Sequence, residues 1–87
     1  MNQYESLKSQ MEALDFPHLY FFKFIVPNKN DNVAKVSALY DSSAQLKLKP
    51  SANGKFVSVS NKQVMLSADD IIEIYIKASE IEGLIAL

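Results

Sequence analysis

The stretch KPSANGK, residues 49–55, is the one place in this chain where Pro, Ser, Asn, Gly and Lys crowd together, and it is the first candidate for chemistry. A phosphate cradle needs glycines that let several backbone N–H groups converge, usually between a strand and a helix N-terminus. Here a single glycine, Gly54, lies between two strand-like segments. Asn53–Gly54 is instead the dipeptide favoured where a tight hairpin turn needs positive φ at both central residues. We read a hairpin turn at Asn53 and Gly54, flanked by Lys49 and Lys55, which attract an anion only weakly. His18 is the only histidine, and no serine or acid is spaced to make it part of a nucleophilic constellation. Asp69 and Asp70 mimic a carboxylate pair, but adjacent acids at the start of a helix complement its dipole.

Composition narrows the chemistry further. With no cysteine there is no disulfide, no thiolate metal site and no Cys nucleophile, and no other metal set emerges. The chain also has no arginine, which removes the guanidinium fork used for bidentate gripping of phosphate and for most base readout. The expectation is a non-enzyme with no catalytic residues, no metal and no cofactor. The apolar run between His18 and Pro27 is broken by Lys23 and falls short of the roughly 20 residues a membrane span needs. The start, MNQYESLKSQME, lacks the basic and apolar regions of a signal peptide. These features predict a soluble cytoplasmic protein that does not enter membranes.

Net charge is -1, but the charges are sorted along the chain. Residues 16–66 carry seven lysines (23, 29, 35, 47, 49, 55 and 62) against Asp31 and Asp41. The ends are acidic: Lys8 faces Glu5, Glu12 and Asp15, and Lys77 faces Asp69, Asp70, Glu73, Glu80 and Glu82.

The elements that must position these charges follow from pattern. Asn2 and Glu5 suggest a capping pair, and Tyr4, Leu7, Met11 and Leu14 recur at helical spacing until Pro17. HLYFFKFIVP, residues 18–27, is dense in aromatic and branched residues and predicts a central strand buried on much of both faces. Asn30 or Asp31 can cap a helix through NVAKVSALY, with Val33, Val36 and Tyr40 inward. AQLKLK alternates, with Leu46 and Leu48 on one face of a half-buried strand and Gln45, Lys47 and Lys49 on the other. KFVSVSNKQVML puts Val57 and Val59 inward, and continuing that phase would bury Asn61 and Gln63, so a bulge or fraying is expected there. Ser67 with Asp70 opens a last helix, supported by a Glu73–Lys77 pair, with Ile71, Ile74, Tyr75, Ala78 and Ile81 inward. GLIAL closes the chain as a strand.

The order after the first helix is βαββαβ. It predicts an α+β ferredoxin-like split βαβ sandwich over residues 16–87, an antiparallel four-stranded sheet with two helices on one face, preceded by an amphipathic helix over residues 1–15. The open sheet face should carry Phe21, Lys23, Ile25, Lys47, Lys49, Ser58, Ser60 and Lys62, and it is the candidate binding face. The first helix, apolar at Tyr4, Leu7 and Met11 and acidic at Glu5 and Glu12, is expected to cover part of that face, in its own chain or in a symmetric dimer. Tyr4, Leu7, Met11, Ile72 and Ile76 are candidate dimer contacts, although the plainer reading of Ile72 and Ile76 is that they meet Ala34 and Ala38 on the neighbouring helix. With one lysine the first helix is a poor membrane-surface helix.

Two functional classes are compatible with this layout. One is a small regulatory or protein-interaction module, with an unknown protein or a second copy as partner. The other is a weak RNA or polyanion binder, because RNA-recognition motifs share the βαββαβ order and stack bases on aromatics of the central strands. Here Phe56 is followed by Ser58 where that consensus wants a second aromatic. Lysines alone give weak, salt-sensitive binding without sequence preference. Acylphosphatase shares the small fold but works with an arginine and an asparagine, and the absence of arginine argues against that activity.

FPHLYFFKFI, KPSANGKFVSVS and SADDIIEIYIKASEIEGLIAL resemble, in order and spacing, the YbeD-like family of small bacterial proteins, a domain of unknown function. The resemblance covers residues 15–87 and rests on Phe16, Pro17, Lys23, Pro50, Ser51, Gly54, Lys55 and Tyr75. Lys49 stands where the family usually has arginine, and Asn61 and Gln63 replace apolar strand residues. The resemblance implies a ferredoxin-like fold similar to ACT regulatory domains, with no established activity. The glycine that ACT domains use after the first strand to admit an amino acid is missing from PNKND.

Overall fold

The computed structural model describes residues 3–29 and 31–87. Its elements run α1 (Gln3–Glu12), β1 (His18–Pro27), α2 (Asn32–Ser37), β2 (Lys47–Pro50), β3 (Phe56–Met65), α3 (Ala68–Ala78) and β4 (Ile85–Ala86). The strands form one antiparallel sheet in the order β2-β3-β1-β4. The βαββαβ succession read from the sequence is therefore present, with β1 and β3 in the middle.

β1 and β3 pair along their whole length, from His18 opposite Met65 to Pro27 opposite Phe56. No residue is skipped, so the expected bulge at Asn61 and Gln63 is absent. Asn61 keeps the inward phase of Val57 and Val59 and is buried, while Gln63 is half-buried. The two amides offset part of that cost between themselves, Asn61 Nδ2 lying 3.5 Å from Gln63 Oε1. Ten unbroken pairings outweigh one awkward amide, because a one-residue slip would turn the whole apolar set outward.

The inward side chains of β1 and β3 make the core with Val36 of α2 and Ile71 and Ala78 of α3; Phe22, Phe24, Val26, Val36 and Ile71 are completely buried. β1 is thus buried on one face only. Its other face, with Leu19 and Phe21 exposed, departs from the two-sided burial the sequence suggests, because among the described residues no element lies over it. Helix α2 ends at Ser37, shorter than expected, and Leu39 and Tyr40 continue it with tighter three-residue hydrogen bonds to Val36 and Ser37. Asp31 occupies the cap position without a side-chain cap bond and pairs instead with Lys35, at 3.4 Å. Asn32 holds the start of α2 by donating to the Pro27 carbonyl at 2.7 Å. The other residues proposed as caps, Asn2 and Asn30, lie outside the described residues.

β2 is short and exposed along its whole length rather than half-buried. Leu48 lies opposite Val59 on the inward face, yet remains 51% exposed because this is the sheet's edge. α3 forms as read: Ser67 Oγ accepts from the Asp70 N–H at 3.1 Å, and Lys77 meets Glu73 at 2.8 Å. This capping settles a run of isoleucines as helix rather than strand.

The largest departure concerns α1. It lies beside α3, on the helix side of the sheet, and not across the open face. Lys8 reaches Asp69 at 2.8 Å, Tyr4 and Leu7 flank a groove of about 530 Å³ with Tyr75, Ala78 and Leu84, and Met11 and Phe16 pack against the core. The helix finds an apolar flank there, and its lysine, Lys8, finds a carboxylate at the acidic start of α3. The Lys8 ammonium is correspondingly held above its ordinary pKa by the hydrogen bond to Asp69 and its charge.

Candidate functional site

Strand register assembles the open face row by row. Lys47, Ser60 and Lys23 lie side by side across β2, β3 and β1, and Lys49, Ser58, Ile25 and Ile85 make the next row. Phe21 lies opposite Lys62, and Leu19 opposite Val64. All eight residues proposed from the sequence are therefore on one face: Phe21, Lys23, Ile25, Lys47, Lys49, Ser58, Ser60 and Lys62. Two shallow grooves cross it. One of about 230 Å³ lies between Lys23, Ile25, Lys49, Pro50, Phe56 and Ser58; the other, of about 370 Å³, lies between Phe21, Leu46, Lys47, Ser60 and Lys62.

The face is more apolar than the sequence reading held. Leu19 and Val64 are each 58% exposed and Phe21 54%, and Phe56 and Ile85 add to them. Leu19 and Val64 were within reach of simple alternation, two residues before Phe21 and two after Lys62. Ile85 was not, because only its pairing with Ile25 places it on this side.

Charge is distributed with equal consistency. The four strands contain no Asp or Glu, and their lysines, Lys23, Lys47, Lys49 and Lys62, all point to the open face. Every Asp and Glu of the sequence lies in a helix or a connection. A surface with large exposed apolar groups and one sign of charge attracts a partner of opposite charge and disfavours a second copy laid face to face.

Residues 51–55 join β2 to β3, as a hairpin connection should, but not as the two-residue turn expected. Gly54 has φ +72°, whereas Asn53 keeps negative φ. The Asn53 side chain instead accepts from the Lys55 N–H at 3.0 Å and from Ser51 Oγ at 2.9 Å. The Gly54 N–H bonds the Ser51 carbonyl, the Ser51 N–H bonds the Phe56 carbonyl, and the Phe56 N–H bonds Ser51 Oγ. The N–H groups of Ser51, Gly54, Lys55 and Phe56 thus close on the hairpin itself instead of converging on a phosphate.

The residues proposed as dimer contacts are divided. Tyr4, Leu7 and Met11 are half-buried in the chain's own packing. Ile72 is buried, on the same stripe of α3 as Asp69 and hence on the side of Lys8, while Ile76 is 41% exposed.

Behind the sheet, a cluster of tyrosines was only partly legible. Tyr20 and Tyr75 share a hydrogen bond between hydroxyls at 2.9 Å, and their rings meet edge to face at 6.3 Å. Tyr40 packs on Phe22, but its buried hydroxyl has no partner among the described residues. Burial pushes the Tyr40 hydroxyl up from its ordinary pKa; burial first, and then the hydrogen bond to Tyr20, does the same for Tyr75. Neither is poised to titrate near neutrality. Among the described residues no group of three or more His, Asp or Glu could hold a metal ion, and no helix is long and apolar enough to cross a membrane.

The molecule is thus an α+β protein with a four-stranded antiparallel sheet, helices on one side and an open basic and apolar face on the other. A family model described as a protein of unknown function (DUF493) matches residues 11–87, and the chain belongs to that family, in agreement with the YbeD-like resemblance of its motifs. Neither a curated protein nor a solved structure matches it.

Proposed function

We propose that this chain is a small non-enzymatic regulatory or protein-interaction module of the bacterial cytoplasm, with a ferredoxin-like, ACT-like architecture, and that its protein partner docks on the open sheet face through acidic and apolar groups. The strand order supports the architecture. The observation that carries the docking is the face itself: lysines from three strands interleaved with exposed Leu19, Phe21, Val64 and Ile85, and no Asp or Glu in any strand. Binding of single-stranded RNA is the weaker reading. Phe21 lies opposite Lys62 and Phe56 opposite Pro27, six residues apart along β1, which is roughly 20 Å at strand spacing. Two rings that far apart do not stack neighbouring bases.

The test is a titration of the isotopically labelled chain with two probes at two salt concentrations. One is a blocked peptide of sequence Thr-Val-Thr-Val-Thr-Glu-Thr-Glu; the other is an oligouridylate of similar charge. The peptide should move the amide resonances of Phe21–Ile25 and Ser58–Lys62, and the double substitution K23E/K62E should weaken it at least tenfold. Tighter binding of the oligouridylate, or indifference to the charge reversal, overturns the reading.

A further inference from the structure

The two edges of the sheet are built differently. On the outer edge of β2, Lys47 and Lys49 flank Leu48, and Pro50 has no N–H to offer. The Ser51 N–H bonds the Phe56 carbonyl, so by alternation Leu48 and Pro50 are the residues whose backbone faces outward. Lysine and proline on an edge discourage further strand pairing. The opposite edge has no such guard. β4 pairs with only Phe24 and Ile25, and its last bond runs from the Leu87 N–H to the Lys23 carbonyl. From His18 to Phe22, β1 has β3 on one side and, among the described residues, no strand on the other. That stretch contains no Lys, Asp, Glu or Pro.

The direction of its free groups follows from the ladder. The Asn28 N–H bonds the Lys55 carbonyl across β3 and the Lys23 carbonyl serves β4, so even-numbered residues of β1 bond toward β3 and odd-numbered ones toward the β4 side. Leu19 and Phe21 therefore hold their N–H and C=O groups toward the vacant edge. Their side chains stand on the open face, more than half exposed.

We propose that an extended segment of the partner adds to this edge as a fifth strand, pairing with Leu19 and Phe21 and presenting valine-like side chains followed by a carboxylate. This rests on the open face being the docking surface and names how the partner enters it. An added strand sets alternate side chains beside Leu19 and Phe21, which select apolar groups. β4 ends beside Lys23, so the added strand stops at Phe21, and a carboxylate that follows the apolar pair leaves the ladder over the open face toward the ammonium groups of Lys23, next on the same face of β1, and Lys62, opposite Phe21. A second copy of this chain is the poorer occupant. Its free β1 stretch could pair antiparallel about Tyr20, but no strand of the chain contains an acid to meet those lysines.

The experiment uses the full chain and the same Val/Glu peptide, with hydrogen exchange read residue by residue. Bound peptide should slow exchange of the Leu19 and Phe21 amides at least tenfold, while Tyr20 and Phe22, already bonded to β3, change little. L19P removes an N–H that takes no part in the β1–β3 ladder, and F21K leaves the backbone intact while adding a charge that guards the edge. Each should weaken the peptide at least tenfold with the core amide resonances of Phe24 and Val59 unmoved; should L19P disturb them, F21K alone decides. If F21K binds like the unaltered chain while K23E/K62E does not, strand addition is overturned and the face reading stands. If none of these changes matters, both are overturned. Slowed exchange at Leu48 in place of Leu19 overturns the choice of edge. Slowing at Leu19 and Phe21 that grows with protein concentration, without peptide, makes a second copy the occupant and overturns the partner.

Discussion

β1 turns two faces to two environments with nearly the same apolar residue types. Toward the helices it sends Tyr20, Phe22, Phe24 and Val26; toward the open side, Leu19, Phe21, Lys23 and Ile25. Phe22 and Phe24 stack with ring centres 6.2 Å apart and both meet Tyr75 of α3, whereas Phe21, one residue away, is 54% exposed. Hydropathy along the strand does not separate the two. What separates them is the layer above, α2 and α3 on one side and, among the described residues, no element on the other, and the lysines of the uncovered side agree with it. An aromatic residue in a central strand is therefore not evidence of burial until the covering element is placed.

The comparison predicts its own largest effect at Phe24. Phe24→Ala empties a fully buried site among Phe22, Tyr75 and the valines of β3, and should cost about 3–5 kcal/mol of unfolding free energy, read by denaturant titration. A loss below about 1 kcal/mol would show the inward face to be as loosely packed as the outward one.

Next in size is Val59→Thr, a swap of nearly equal shape that places a hydroxyl beside Phe24 where only 1% of the residue is exposed. Burying that hydroxyl without a fixed partner should cost about 1–3 kcal/mol. Retained stability would mean that the new group has found a partner, and Asn61 two residues on is the obvious one.

These two sites also mark what the sequence made legible. Val57 and Val59 announced their face by alternating with Ser58 and Ser60, and the caps of α3 announced a helix through an isoleucine run. The lysines at 23, 47, 49 and 62 were placed together because period-two reasoning applies equally to three strands. The position of α1 was not legible. Its stripe of Tyr4, Leu7 and Met11 fits any apolar surface with cations nearby, and the choice of α3 depends on the turn at residues 13–17 and on Lys8 meeting Asp69. Nor was the unbroken run through Asn61 and Gln63, since local polarity argued for a bulge and only the length of pairing with β1 overrules it.

A smaller effect is expected at the tyrosines behind the sheet. Tyr75→Phe removes one half of the hydroxyl pair with Tyr20 and should cost about 1 kcal/mol, while Tyr40→Phe removes a buried hydroxyl without a partner and should be neutral or slightly stabilising. A cost above about 1 kcal/mol for Tyr40→Phe would mean that its hydroxyl is bonded in solution, and the inward layer would then hold a polar site of its own.

The smallest effect belongs to Val64→Thr, the same exchange as at Val59, on the same strand, five residues further and on the other face. Val64 lies opposite Leu19 with 58% of its surface exposed, so its γ-methyl already meets water and the new hydroxyl keeps its hydration. Threonine also suits a strand as well as valine does, since both are branched at Cβ. The change in stability should stay within about 0.5 kcal/mol. Binding is where it should register, because Val64 packs beside Leu19, on whose other side the Val/Glu peptide is expected to lie. A stability loss matching that of Val59→Thr would mean that the outward face is covered in solution by another part of the assembly, and the contrast between the two faces of β1 would be a contrast between two interiors.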